Sequence, residues 1–248
     1  MLEFQIDIQT PTGAIDTFIC CPDEGGPHPV VIFYMDAPAI REELRDMARR
    51  IASCGYYVML PNMFYRHARP EHYGFDHNLI RSDDAQRQIM LNLMNGLSNQ
   101  MVINDTAYWI AHARSDPRAK AGAIGCVGYC MSGRFVMSAA AAYPADFAAV
   151  ASYYGVGIIT DQADSPHLIA HKIRGEVYLA FAQQDIWVSD ALLAQMPSML
   201  SKAGVNGRVE IYPGTEHGFA FSQRTAYVRS AADRHWERML ALFSRNLK

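Results

Sequence analysis

The sequence predicts an α/β fold: a mostly parallel, doubly wound sheet with helices on both faces and an antiparallel hairpin at the N-terminus. Short β-branched and apolar runs alternate along the chain with longer segments of helical periodicity. Parallel neighbours need crossover connections, and helices supply them on both faces of such a sheet. The hairpin is indicated by residues 4–8 and 15–19, which alternate with period two around Pro11-Thr12-Gly13.

The remaining elements follow in chain order. Apolar runs that suit buried strands lie at 29–34, 56–60, 121–127, 147–153, 177–182 and 209–212. Helical spacing of apolar residues predicts helices at 40–53, 83–95, 99–115, 132–142, 189–203 and 224–246. Residues 62–82 are rich in His, Arg, Tyr and Pro without a clear period, which predicts a long and functionally important loop. No linker or repeat divides the chain, so we expect a single domain over residues 1–248.

Composition excludes several functional classes. Half of the 248 residues are hydrophobic, and the formal net charge is -3 without a basic surplus, which argues against a nucleic-acid partner. No apolar run approaches the roughly 18 residues of a membrane span, and the N-terminus lacks signal-peptide features. The five cysteines fit no C-x-x-C spacing, which favours a reduced, cytoplasmic protein without a structural metal.

The segment Gly125–Arg134, with the sequence GCVGYCMSGR, places Cys130 where a strand meets a helix. This is the setting of a nucleophile elbow, in which small residues two positions away allow a sharp turn. A helix N-terminus favours thiolate, and the Met131 N–H is expected to face a developing oxyanion. Ser132 is the competing nucleophile, but the bulk of Cys130 and Arg134 on either side suits it better to a steric role. Cys130 as a simple buried hydrophobe is the other alternative.

An acid and a base follow Cys130 in the chain order of a catalytic triad. Asp185 comes directly after the predicted strand 177–182, and His217 lies in a glycine-flanked loop after strand 209–212. Both are therefore expected at the carboxyl edge of the sheet, where ligands gather. His217 would take the thiol proton while Asp185 fixes the imidazole tautomer. The second oxyanion donor is expected from the loop after strand 29–34, at the Ala37 N–H.

Together these residues resemble the dienelactone hydrolase (carboxymethylenebutenolidase) family over essentially the whole chain. The resemblance rests on the elbow Gly128–Gly133, the Asp185 and His217 loops, and the stretch 36–66 with its P-N-M-F-Y-R sequence at residues 61–66. It implies an α/β-hydrolase fold and a cofactor-independent hydrolase of a small-molecule carboxylic ester or lactone. A monomer or homodimer is expected.

The resemblance also implies further site residues. Asp36 matches the family's acidic residue that hydrogen-bonds the resting thiol, although it is also a candidate helix cap. Arg81, with Arg87 as a substitute, matches an arginine that holds a substrate carboxylate.

Three other residues are assigned to substrate binding. The family's second arginine follows the catalytic histidine by four residues, and that place here is Phe221, which would offer an apolar wall. A less charged ester, lactone or thioester is therefore an alternative to dienelactone. Tyr129 and Trp187, beside the proposed nucleophile and acid, are also expected to contact substrate.

Three functions are compatible with these residues. The leading one is ester or lactone hydrolysis through a Cys-His-Asp triad and a thioacyl-enzyme intermediate. An acyltransferase, a C–C hydrolase or an amide hydrolase would use the same scaffold. A non-catalytic binding or redox-sensing protein with an oxidisable Cys130 is the third.

Overall fold

The computed structural model describes residues 1–247, so Lys248, included in the predicted domain, lies outside the described residues. An eight-stranded sheet has the order β1-β2-β4-β3-β5-β6-β7-β8. Its strands are β1 (Leu2–Thr10), β2 (Gly13–Cys21), β3 (His28–Tyr34), β4 (Tyr57–Pro61), β5 (Ala119–Tyr129), β6 (Phe147–Tyr153), β7 (Glu176–Gln184) and β8 (Gly207–Glu216).

The predicted sheet architecture is confirmed. β1 pairs with β2 and β2 with β4 in antiparallel register, and β4, β3, β5, β6, β7 and β8 are parallel to one another. β3 is buried along almost its whole length because helices cover both faces, whereas most of the edge strand β1 is at least partly exposed. The continuous apolar runs in the sequence therefore mark the centre of the sheet.

The helices lie close to the positions that apolar spacing predicts. They are α1 (Glu42–Ala52), α2 (Asp84–Asn95), α3 (Asn99–Ser115), α4 (Gly133–Ala142), α5 (Pro166–Ile169), α6 (Asp190–Lys202) and α7 (Arg229–Asn246). The single turn α5 was not predicted, since four residues carry no detectable period. Among the described residues, no helix is both long enough and apolar enough to cross a membrane.

One helix boundary was wrong in a way that affects the site. The predicted helix 224–246 begins only at Arg229, and residues 222–228 form a loop. The Val228 N–H donates to the carbonyl of Phe219, which turns this loop back on itself before the helix starts. Arg224 is consequently a loop residue.

The strand order determines where a site can form. The chain runs from β3 to β4 in one direction, whereas β5 to β8 continue on the other side of β3. Ligands bind at such a switch point, outside the carboxyl ends of the strands. Tyr34 at the end of β3 pairs with Gly128 near the end of β5, so the loops that follow these two strands are neighbours.

Candidate active site

Cys130 lies at a strained turn between β5 and α4. Its φ is +55°, a left-handed conformation that non-glycine residues adopt at a cost of about 1–3 kcal/mol. A Cβ at Gly128 would lie 2.7 Å from the Ser132 carbonyl oxygen, and one at Gly133 would lie 2.2 Å from the Cα of Gly155. The turn therefore closes only with glycine at both positions; the elbow motif predicts Gly128, whereas the need for Gly133 comes from its approach to Gly155.

Ser132 is not available as a nucleophile in this structure. It is fully buried, and its hydroxyl donates to the Met35 carbonyl at the end of β3. This bond joins the elbow to the neighbouring loop, which agrees with the predicted steric role. Cys130, by contrast, is partly exposed.

His217 and Asp185 are brought together at the ends of β8 and β7. Gln184 pairs with Glu216, so the residues that follow them are adjacent. The Nδ1 of His217 lies 2.8 Å from Oδ2 of Asp185. The other Asp185 oxygen accepts the Trp187 N–H at 2.9 Å. This second bond holds the carboxylate in the orientation that fixes the imidazole.

The charge state of His217 depends on Cys130. Burial lowers the pKa of His217, but the nearby Cys130 sulfur and the Asp185 carboxylate outweigh burial and raise it to about 9. Nε2 of His217 is buried and has no hydrogen-bond partner among the described residues. The imidazole therefore has one nitrogen held by carboxylate and one available for proton transfer.

Cys130 and His217 line a cavity of about 280 Å³, which we call the thiol cavity. Its walls are mostly apolar, and α2 supplies Met90, Leu91 and Met94 to one of them. Ala37, from the loop after β3, also lines it. Met131, the other predicted oxyanion donor, is fully buried immediately after Cys130. Ala37 is thus at the cavity, Met131 directly follows the nucleophile in the chain, and their role as oxyanion donors stays a prediction.

A second cavity of about 520 Å³ adjoins the first, and we call it the imidazole cavity. His217 and Trp187 line both cavities, whereas Asp185 lines the second cavity and Cys130 the first. Trp187 is 52% exposed, and its assignment to substrate binding stays a prediction.

Asp36 does not contact the thiol, which corrects the predicted switch contact. The carboxylate is fully buried and accepts hydrogen bonds from Arg41 at 2.7 and 3.2 Å and from Arg224 at 2.7 Å. Within residues 1–247 it makes no hydrogen bond to Cys130. Nor does it cap a helix, because α1 begins after Arg41 without a side-chain cap.

Arg224 is the site residue that sequence reasoning missed. It lines both cavities, although its guanidinium also pairs with Asp36. Helical periodicity in the sequence extends back to residue 224, which predicts that Arg224 lies inside a helix. The β-branched Thr225 and Val228 at the start of that segment are the signal that favours a later helix start.

Arg81 is placed at the cavities, and its role in binding a substrate carboxylate stays a prediction. It lines both of them, and no carboxylate lies within salt-bridge distance of it in the described part of the chain. Burial, together with the guanidinium groups of Arg224 and Arg41, lowers the pKa of Arg81. An anion placed here would relieve this repulsion.

Tyr129 and Phe221 do not line the cavities, so their assignment to substrate binding is corrected. Tyr129 is fully buried, with its hydroxyl 2.6 Å from Nε2 of His235. Phe221 is also fully buried and packs edge-on against Tyr129, with ring centroids 5.1 Å apart. The Arg224 guanidinium lies 4.9 Å from the Phe221 ring. Phe221 therefore packs against the Arg224 guanidinium and does not form an apolar wall of the cavities.

The family model and the similar proteins all indicate the same family. Residues 15–247 match the model of the Dienelactone hydrolase family. A Synechocystis protein provisionally named carboxymethylenebutenolidase is 30% identical over 234 residues, which span 93% of this chain and 92% of that protein. A protein of the same provisional name from Methylorubrum extorquens is 24% identical, over 95% of this chain and 78% of the relative.

Solved structures agree in fold. A provisionally assigned dienelactone hydrolase from Klebsiella pneumoniae superposes with a TM-score of 0.85 at 23% identity, over 98% of both chains. The dienelactone hydrolase of Anabaena variabilis gives 0.65 at 16% identity, over 100% of this chain and 99% of that one. Because the family model matches residues 15–247 of the chain, the chain is a hydrolase that belongs to the dienelactone hydrolase family.

Proposed function

We propose that this protein hydrolyses a carboxylic ester or lactone through a Cys130–His217–Asp185 triad and a thioacyl-enzyme intermediate. One observation carries the proposal. His217 is bonded through Nδ1 to Asp185 and lines the same cavity as Cys130, whose backbone is strained into an elbow. Nucleophile, base and orienting carboxylate are thus present in the order that covalent acyl transfer requires.

The reaction then proceeds in two balanced halves. The Cys130 sulfur, with its proton held on His217, attacks the ester carbonyl and forms a C–S bond. The C–O bond to the alcohol breaks, and His217 gives its proton to the departing oxygen. His217 next takes a proton from water, whose oxygen attacks the thioester carbon and forms a C–O bond. The C–S bond then breaks, the carboxylic acid leaves, and the proton on His217 is again the counterpart of the freed Cys130 sulfur. Every step uses groups of this chain together with substrate and water.

Backbone donors stabilise the oxyanion in both halves. The proposed donors are the N–H of Met131, which directly follows the nucleophile, and the N–H of Ala37, a residue that lines the thiol cavity. Removal of one such donor costs other acyl-transfer enzymes about 100-fold to 1,000-fold in kcat.

Arg81 is proposed to hold an anionic group of the substrate, with Arg224 beside it. Three arginines, Arg41, Arg81 and Arg224, lie around the two carboxylates of Asp36 and Glu43, and the pairs formed by Arg41 and Arg224 leave Arg81 without a partner. One positive charge is therefore in excess within this cluster of five side chains. A carboxylate-bearing ester or lactone suits this charge, and Arg224 supplies the second cation that the sequence did not reveal.

The test is a panel of acyl donors offered to the wild type, Cys130→Ala and Cys54→Ala. Cys54 is exposed and serves as a control for loss of a thiol elsewhere. We expect Cys130→Ala to lose at least about 1,000-fold in kcat/KM, as for other nucleophile deletions, and Cys54→Ala to match the wild type. Intact mass of the wild type mixed with a slow donor should show one acyl group, absent in Cys130→Ala. Equal hydrolysis by Cys130→Ala and wild type would refute the mechanism.

Product analysis separates hydrolysis from acyl transfer. With an added alcohol or amine acceptor, a hydrolase still yields mainly free acid. A predominant new ester or amide would assign the chain to acyl transfer instead.

A further inference from the structure

The α2 wall of the thiol cavity carries apolar side chains that the protein leaves partly exposed. Met90, Leu91 and Met94 all line the cavity, and none of them is buried. α2 has no buried residue at all, whereas α4 buries nearly all of its apolar side chains. An apolar ligand on this wall would remove that exposed surface from water, which is favourable.

The opposite walls extend this apolar surface. Ile80, Pro38 and Val156 line the same cavity as the α2 residues. Its charged lining residues are arginines, and no carboxylate contributes to it. The cavity that contains Cys130 thus offers a mostly apolar wall, with cations and no carboxylate as its charged lining.

The imidazole cavity differs in both chemistry and position. It is lined by His217 and Asp185 but not by Cys130, and it includes the polar side chains of Gln184, Glu216 and Thr225. Trp187 borders both cavities at their junction. A substrate carbonyl at the sulfur would therefore have one space on the thiol side and another on the histidine side.

The chemistry assigns one half of the substrate to each space. The acyl group stays bonded to sulfur after the C–O bond breaks, so it must lie in the cavity that contains Cys130. The departing oxygen receives its proton from His217, which lines both cavities, so with the acyl group in the thiol cavity the space beside His217 that remains for the alcohol is the imidazole cavity. A lactone keeps both halves in one ring and would leave one of the two cavities without a role.

Resting on the proposed function, we propose that the substrate is an open-chain ester whose extended apolar acyl group lies along Met90, Leu91 and Met94. Its alcohol half occupies the imidazole cavity beside Trp187. Methionine side chains suit this role because they are flexible and adapt to acyl groups of different shape. Specificity for the acyl chain then resides in α2, and specificity for the alcohol in the loops after β7 and β8.

The acyl half is tested with para-nitrophenyl acetate, butyrate and octanoate, which share one leaving group. Met94→Trp narrows the thiol cavity, and Gln88→Trp places the same side chain on the exposed face of the same helix. We expect Met94→Trp to lower the octanoate-to-acetate ratio of kcat/KM by at least about tenfold, since lost methylene contacts in apolar pockets have effects of this size. Gln88→Trp should keep the wild-type ratio.

The alcohol half is tested with phenyl acetate and naphthyl acetate, which share one acyl group. Thr225→Trp fills the imidazole cavity, and Ser230→Trp is an exposed control on α7. Relative to wild type, Thr225→Trp should lower the naphthyl-to-phenyl ratio while the octanoate-to-acetate ratio stays unchanged. Met94→Trp should show the reverse pattern.

The outcomes separate this inference from the proposed function. Ester hydrolysis that requires Cys130, combined with unchanged substrate ratios in Met94→Trp and Thr225→Trp, would overturn the assignment of the two cavities and leave the triad standing. A lactone preferred over every open-chain ester would overturn it as well. Hydrolysis independent of Cys130, or none at all, would refute the proposed function and this inference with it.

Discussion

The elbow and the α2 wall face the same cavity but are packed in opposite ways. At the elbow, a Cβ on Gly133 would lie 2.2 Å from the Cα of Gly155, and Cys130 has a left-handed φ. At the end of α2, a Cβ on Gly96 would have its nearest neighbour at 3.4 Å. The backbone thus fixes the reacting groups rigidly, while the wall that would meet the substrate keeps room to adapt. Substitutions at the elbow should therefore alter the catalytic rate, whereas substitutions on the α2 wall should alter substrate specificity.

The largest expected effect lies on the rigid side, at Asp185. Asp185→Ala removes the carboxylate that orients His217 at 2.8 Å, and we expect kcat to fall by about 1,000-fold to 10,000-fold with little change in KM. Steady-state kinetics on a para-nitrophenyl ester measure this. Asp161→Ala, an exposed acidic residue elsewhere, is the control. A kcat within a few-fold of wild type would show that the orientation of His217 does not depend on Asp185.

The second effect concerns stability. Gly133→Ala should lower the free energy of unfolding by about 3 kcal/mol, because its Cβ would overlap the backbone of Gly155. Gly96→Ala is the matched change on the α2 side, where φ is -71° and the new methyl group meets ordinary contacts. It should change stability by less than about 0.5 kcal/mol. Urea unfolding measures both, and equal losses would remove the contrast between the two regions.

The sequence revealed the rigid region well because its signals are local. Glycines around Cys130, and acidic and basic residues directly after apolar runs, reflect the backbone at those positions. The strand register then brings the acid and the base together, because the pairing of Gln184 with Glu216 makes Asp185 and His217 neighbours once the parallel sheet forms. The order of strands and helices was predictable for the same reason.

The adaptable region was less predictable because it depends on contacts between distant segments. Asp36 pairs with Arg224, 188 residues away, and no local sequence pattern indicates that bond. Position along the chain suggested Phe221 as the substitute for an arginine, but its ring is buried under the guanidinium of Arg224. Met90 has the spacing of a core residue, and only the fold shows that it lines a cavity.

A pH experiment sharpens the account of the rigid region. The folded protein raises the pKa of His217 from about 6.5 to about 9, so protonation is favoured more strongly in the folded than in the unfolded state. Cys130 is the largest cause of this increase, so its removal should lower the pKa of His217. We therefore expect the imidazole to titrate at a lower pH in Cys130→Ala than in the wild type. NMR titration of the His217 ring in both proteins measures this, and equal pKa values would contradict the coupling.

The smallest effect lies on the adaptable side, at Arg81. Arg81→Met should raise KM about tenfold for a carboxylate-bearing ester, the equivalent of about 1.4 kcal/mol, and leave the KM of its neutral amide analogue nearly unchanged. Arg87→Met tests the alternative arginine and should have less effect, because its guanidinium already pairs with Asp84. The kcat of Arg81→Met should stay close to wild type for both substrates, since the triad lies on the elbow side. If both substrates lost kcat equally, Arg81 would act on the reacting groups themselves, and the division between a rigid catalytic side and an adaptable binding side would fail at that residue.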